Sequence, residues 1–336
     1  MKQYLDIVHN VLTYGKNKQP VRKGPDGKTV GLENGTIALA NVVFSHNMSD
    51  GFPLLTTKKM PLRVIAVELE GFLKGITDKK WFQERACKIW DEWANPMKVK
   101  EELDSIYVEV KEANGFTDDE YRKRIQLEET DLGPIYGYQW RKFGGQYGEV
   151  ERNKPYTSVY TEHYEYAESL NGMINGGADQ LKNIVDTLHK APYDRRMVCS
   201  AWNPNQIHMM ALPPCHYAWN ITVIDDEINL AFIMRSVDTA LGMPFNIASY
   251  GLLLSLLAKE SGFKAGNLTA LFVDCHIYNN QIKGCYEQLQ RTPYKLPTLD
   301  VLSKNDEFSI FDWEHTDLKL SDYQHHSKLD FGAVTV

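Results

Sequence analysis

Residues 217–261 read YAWNITVIDDEINLAFIMRSVDTALGMPFNIASYGLLLSLLAKES, and their patterning decides the fold class. Tyr217–Ile224 and Ile228–Met234 are rich in β-branched and aromatic residues and flank the turn Asp225-Asp226-Glu227, which predicts a hairpin. Asn246–Ser261 follows a different pattern. Ile247, Ala248, Leu252, Leu253, Leu254, Leu256 and Leu257 leave almost no polar side, as in a helix at the centre of a core. A hairpin feeding such a helix predicts a mixed α+β fold, a core β-sheet packed by helices.

Outward from this stretch, Leu5, Val8, Val11 and Leu12 give helical spacing over 2–14, and Lys16–Gly35 reads as a loop rich in Gly, Lys, Asn and Pro. Thr36–Phe44, Met197–Trp202 and Leu268–Val273 read as strands, and Ala178–His189 as an amphipathic helix. Pro61–Lys74 is expected to be helical with Ile65, Leu69, Phe72 and Leu73 inward. Residues 96–130 are heavily charged and 146–178 are polar and Tyr-rich. Both read as insertions, without assigned chemistry, in a single domain spanning 1–336.

The 336 residues are 43% hydrophobic and 24% charged, with net charge −7, which is ordinary globular composition and argues against a general nucleic-acid binder. The opening MKQYLDIVHNVLTYGK reads as an amphipathic helix rather than a secretory signal, and no apolar run reaches the ~18 residues of a membrane span. Five widely spaced cysteines without a CxxC pair predict a reducing, cytoplasmic setting rather than a disulfide framework. Cys215-His216 and Cys275-His276 do not make a metal site, because adjacent residues rarely give two ligands to one tetrahedral ion.

Cys215 follows two prolines, and Arg195, Arg196, Arg235 and Asn246 lie near it in the chain. A soft nucleophile, a set of anion ligands and an amide able to read a flat ring suit an enzyme acting on a nucleotide. Glu68 falls on the apolar side of its helix, where a carboxylate is either paired in the core or used for acid–base work. Trp90 and Trp93, three apart, are either core or a ligand platform. Arg22 lies in the Gly-rich loop, either solvated or closing over an anion.

Several stretches together resemble thymidylate synthases: GFPLLTTKK, KIWDEWA, DLGPIYGYQWR, DRRMVCSAWNP, MALPPCH, RSVDTALGMPFNIASY, DCHIY and YQHHSKL. The resemblance covers the chain apart from 96–130 and about 146–178. It implies a homodimer with a large mixed sheet at its interface, and dUMP and 5,10-methylenetetrahydrofolate as substrates, with no metal, membrane or nucleic acid required. Cys215 would add to C6 of uracil, a step that needs a thiolate, which nearby arginines favour. Glu68, Tyr136 and Asn246 would stabilise charge at O4, and the Asn246 amide would choose uracil over cytosine. By the same resemblance Arg235 and Ser236 would bind phosphate within the subunit, while Arg195 and Arg196 would reach into the partner's site. Arg22 matches the loop arginine less well, because RKGPDGKTVGLENGT replaces the usual Arg-Thr-Gly-Thr-Gly. His276 and Tyr278 would hold the 3′-hydroxyl. For folate the matching positions are Trp90, Trp93, Leu212, Asp238 (counted also among the catalytic residues), Leu241, Gly242 and Phe245. Lys58 and Lys59 would meet a polyglutamate tail, and Ala333–Val336 would close over the pair.

Met234 stands where glutamine is usual, Val273 where glycine is usual, and ELEGFL replaces ELLWFL, removing a tryptophan. A rival reading is therefore a dUMP 5-hydroxymethylase on the same scaffold, in which water replaces hydride. A second is a catalytically silent dimer that binds nucleotide or RNA.

Overall fold

The computed structural model describes residues 1–23, 29–31, 34–106, 117–148, 177–304 and 307–332. In chain order its elements are helix α1 (Lys2–Tyr14), strands β1 (Lys16–Lys18), β2 (Val21–Lys23), β3 (Thr29–Gly31) and β4 (Thr36–Asn47), and helices α2 (Leu62–Leu73), α3 (Lys79–Glu84), α4 (Pro96–Ser105), α5 (Asp118–Glu128), α6 (Tyr136–Lys142) and α7 (Gln180–Lys190). Then come strands β5 (Val198–Ser200), β6 (His216–Ile224), β7 (Glu227–Met234) and β8 (Val237–Asp238), helix α8 (Gly242–Ser261), strand β9 (Lys264–Tyr278), helix α9 (Ile282–Leu289), and strands β10 (Thr298–Val301) and β11 (Leu318–Ser321). Residue contacts divide the chain into two compact units. The first comprises Met1–Ala66, Leu188–Met197 and Cys215–Val336, and the second Val67–Thr187 and Val198–Pro214.

In the first unit the expected hairpin forms. β6 pairs antiparallel with β7, matching Trp219 to Phe232 and Ile221 to Leu230. Asp225 turns the chain at φ 53, a left-handed conformation that Asp tolerates better than most residues. β7 lies parallel to β9, and a parallel neighbour requires a crossover, which α8 provides. Ile247, Leu252, Leu253, Leu254, Leu256 and Leu257 of α8 are all 0% exposed, and each such burial contributes about 1.5–3 kcal/mol. Tyr250 stacks on Phe232 with centroids 4.0 Å apart, fixing the helix on the sheet. β4 completes the layer antiparallel to β9, with β1 on its outer edge and β8 beside β9.

Several boundaries differ from the sequence reading. α8 begins at Gly242, a full turn before Asn246, because Pro244 is tolerated in a first turn, where its missing N–H has no intrahelical partner. β9 extends well past Leu268–Val273 at both ends, where polar residues such as Lys264, Asp274 and His276 hide the strand signal while ladder bonds still hold it. The expected loop 16–35 contains β1, paired to β4, and the short hairpin β2–β3. These strands are polar, so alternation gave no sign of them.

The sheet face that carries Phe44, Trp219, Phe232 and Phe272 is buried. Its other face leaves Val43 62% and Val273 38% exposed. Both are apolar residues without cover in the single chain.

In the second unit the described residues of the charged segment 96–130 include two helices that share a small core. Val99 and Leu103 of α4 cluster with Tyr121 and Ile125 of α5 and with Ala94. Asn95 caps α4, and a Thr117–Glu120 capping box starts α5. Lys79 is buried in the same unit. Its Nζ donates to the carbonyls of Gln126 at 2.8 Å and of Asp91 and Trp93 at 3.3 Å, which offsets the cost of burying a cation. A buried amide network joins Gln139, Asn203 and Gln206. Within the expected strand Met197–Trp202, only Val198–Ser200 is extended in a ladder.

Candidate active site

β6 and β7 bring Cys215 and Arg235 together at the open end of their hairpin. The register shifts between His216 and Ala218, and the Arg235 backbone N–H donates to the Cys215 carbonyl at 2.9 Å. The Arg235 guanidinium Nη2 reaches 3.6 Å from the Cys215 sulfur. Cys87, Cys199, Cys275 and Cys285 are buried, whereas Cys215 is part-exposed. Burial pushes the thiols of Cys275 and Cys285 up to about 12 and raises that of Cys199 well above the ordinary thiol range, so these are inert at neutral pH. Ser236 is half-buried directly after Arg235. His216, next to Cys215, bonds through Nδ1 to the Tyr250 hydroxyl at 2.9 Å, and burial lowers its pKa to about 3, which keeps it neutral.

Asn246 lies in the first turns of α8, half-buried, and its Nδ2 donates back to the Gly242 carbonyl at 2.9 Å. Asp238 ends β8 just before this helix. Its Oδ1 accepts from the N–H groups of Ala240 and Leu241, both at 2.9 Å. Leu241, Gly242 and Phe245 are half-buried beside it. His276 and Tyr278 close β9, both buried. The His276 ring sits 3.4 Å from the Asp274 carboxylate, which also pairs with Lys18. The His276 bond, with Lys18 second, holds the Asp274 carboxyl at about 2. Burial pushes the Tyr278 phenol up to about 12, so it stays a hydrogen-bond donor.

Lys58 is buried, with its Nζ on the Ala240 carbonyl at 2.6 Å and over the Phe331 ring at 4.6 Å, while Lys59 faces solvent. Burial lowers Lys58 to about 8. Arg195 and Arg196 are exposed, and Arg196 forms a paired contact with Asp194, whose carboxyl it holds at about 2. The Arg22 side chain and Val336 lie outside the described residues.

The second unit holds Glu68, Tyr136, Trp90, Trp93 and Leu212. Glu68 is 6% exposed, and the Trp90 indole Nε1 donates to its Oε1 at 3.1 Å. Burial raises the Glu68 pKa from 4.5 to about 7, with the Trp90 bond opposing. Tyr136 stacks on Phe72 at 5.0 Å and meets Trp90 edge-on at 6.1 Å, so the carboxylate sits in an aromatic cluster. Trp93 and Leu212 are half-buried.

The departure ELEGFL has a structural counterpart here. A Cβ on Gly71 would run into the Phe82 ring, with Trp81 3.3 Å away, so Phe82 of α3 occupies the space beside α2. Glu70 is buried and paired with Lys74 at 2.6 Å. Gly71→Ala is expected to destabilise the fold by about 2 kcal/mol through overpacking, read as a lowered midpoint in thermal or urea unfolding; an unchanged midpoint would show that Phe82 moves freely.

Sequence reasoning did not single out Gln281, Phe82 or Lys79. Each is defined by tertiary packing, and none sits in a distinctive local pattern. Among the described residues no three His, Cys, Asp or Glu side chains gather as metal ligands do, and no helix is long and apolar enough to cross a membrane.

The sequence profile described as thymidylate synthase matches residues 2–335. The chain belongs to the thymidylate synthase family. This family member is 34% identical, over the full length of both chains, to a thymidylate synthase of Mesoplasma florum. It is 35% identical to one from Listeria monocytogenes, covering 96% of each chain. A bifunctional dihydrofolate reductase-thymidylate synthase of Paramecium tetraurelia is 34% identical across 98% of this chain, which spans 60% of that longer protein.

Proposed function

We propose that this thymidylate synthase family member converts dUMP to dTMP, with 5,10-methylenetetrahydrofolate as cosubstrate and dihydrofolate as co-product. The observation that carries the reading is the part-exposed Cys215 thiol with the Arg235 guanidinium 3.6 Å from its sulfur. Cys215 adds to C6 of the uracil, making C5 nucleophilic, and departs again once C5 has been methylated. Arg235 and Ser236 hold the phosphate, joined by Arg22. His276 and Tyr278 hold the sugar, and Asn246 reads the base. Glu68, Tyr136 and Asn246 manage charge and protons at O4. Bound folate supplies the one-carbon unit and the hydride. The residues fit it: Asp238 offers a carboxylate fixed by backbone donors, flanked by half-buried Leu241, Gly242 and Phe245, an arrangement that suits the ring N–H groups of a pterin. Trp90, Trp93 and Leu212 supply apolar contact, the exposed Lys59 positive charge for a glutamate tail, and Val336 closes the chain end over both ligands; Lys58, expected to share that role, is buried on the Ala240 carbonyl instead.

The uncovered sheet face around Val43 and Val273 suits a second copy of the chain. In that homodimer the exposed Arg195 and Arg196 serve the partner's phosphate. The thiol usage keeps the expectation of a cytoplasmic enzyme.

The test is incubation with [5-³H]dUMP and methylenetetrahydrofolate. Tritium release in step with dihydrofolate absorbance is the expected result. Tritium release without dihydrofolate would assign a hydroxymethylase, and no release would overturn both.

A further inference from the structure

Gln281 follows β9 and is 0% exposed. A side-chain amide buried this deeply must spend its hydrogen bonds on protein groups, and the two it makes run to different halves of the proposed site. Its Oε1 accepts from the Tyr278 backbone N–H at 3.1 Å, and its Nε2 donates to Asp238 Oδ2 at 2.7 Å. The backbone joins the same two places. β8 lies parallel to the end of β9 with Asp238 opposite His276, and the Thr239 N–H donates to the His276 carbonyl at 2.8 Å. With Oδ1 already taken by Ala240 and Leu241, the Asp238 carboxylate is held by three donors, and Gln281 is the side chain among them. The bond is charge-assisted, the kind whose removal costs most.

We propose that Gln281 is a positioning residue that couples the nucleotide and folate sites of one subunit. It ties the carboxylate of Asp238, already oriented by its backbone donors, to the backbone of Tyr278, so that a nucleotide seated on His276 and Tyr278 restrains the residual motion of Asp238 and lowers the ordering cost of binding folate. The inference rests on the ligand assignments proposed above. Its signature is a coupling free energy, which is reciprocal between the two ligands.

The experiment measures folic acid affinity with and without dUMP by equilibrium titration, so that no turnover intervenes. In the native protein dUMP tightens folate binding by about tenfold or more. In Gln281→Met, which keeps the volume and loses both bonds, that factor falls to about twofold or less. dUMP affinity alone stays within about threefold, and folate binding to the dUMP complex weakens by about 10- to 100-fold. Gln281→Glu keeps the acceptor for Tyr278 and sets a charge against Asp238, so it loses folate affinity further with dUMP binding retained. A purely structural role would lower the folded fraction without changing the coupling factor. A native-like factor in Gln281→Met, or in Gln281→Glu should the Met variant fail to fold, overturns the inference. So does a native protein that binds both ligands independently. A native protein that binds neither ligand overturns the ligand assignments themselves.

Discussion

Cys215→Ser is expected to lower turnover by at least about 10⁴-fold while dUMP affinity changes by no more than about threefold. A serine hydroxyl is nearly isosteric with the thiol but is far harder to ionise, so the addition to C6 stops. Binding survives because the groups that grip the nucleotide are elsewhere. The Arg235 backbone bond to the residue 215 carbonyl does not involve the sulfur, and its guanidinium remains at the end of β7. His276 and Tyr278 sit on β9, away from the substituted atom in sequence and held by their own ladder. The two halves of the expectation are measured separately, by tritium release and by calorimetric dUMP titration. Turnover within tenfold of native would refute the nucleophile. A parallel collapse of dUMP binding would instead assign Cys215 to structure.

Glu68→Gln is expected to lower kcat by about 10²- to 10⁴-fold, the range for losing a positioned acid–base group. Its pH signature is specific. The folded carboxyl titrates at about 7, against 4.5 for an unperturbed side chain, because burial penalises the charged form. The native activity profile therefore has a limb with its midpoint near 7, and Gln, which does not titrate, removes that limb. Stability carries the same information with a definite sign. Between pH 4.5 and 7 the folded state binds more protons than the unfolded chain, so stability falls as pH rises through this window. The contribution is fully present below 4.5 and lost above 7, and amounts to about 3 kcal/mol. Gln can still accept the Trp90 indole bond and avoids the penalty, so Glu68→Gln should melt about 4 °C above the native protein at pH 8.5 and near it at pH 5. Equal melting differences at both pH values would show that Glu68 is not the titrating group.

The fold was most legible where one periodicity ruled a long segment. The α8 stretch is apolar on nearly all sides, and its burial followed directly; the β6–β7 hairpin was marked by its turn. The polar strands β1, β2 and β3 and the polar ends of β9 carried no such mark, because their polar side chains hide the alternation while backbone pairing aligns them. For the candidate site, the buried position of Glu68 followed from helical spacing, and Cys215 was marked by its motif, while the burial that sets Cys87, Cys199, Cys275 and Cys285 apart from it is a fact of packing. Residues defined by tertiary packing were invisible. Gln281 and Lys79 are ordinary polar residues in sequence, and what makes them distinctive is that each is buried with donors aimed at specific oxygens. The missing tryptophan of ELEGFL was visible, but that Phe82 fills the space is a fact of packing between α2 and α3.

The central claim is a covalent bond from the Cys215 sulfur to C6 of the nucleotide. 5-Fluoro-dUMP tests it directly, since fluorine at C5 cannot leave as the C5 proton does and the adduct is trapped. Incubated with this nucleotide and methylenetetrahydrofolate, the native protein should gain the mass of both, and digestion should place the label on the peptide containing Cys215. An unlabelled protein, or a label on any other residue, would contradict the account.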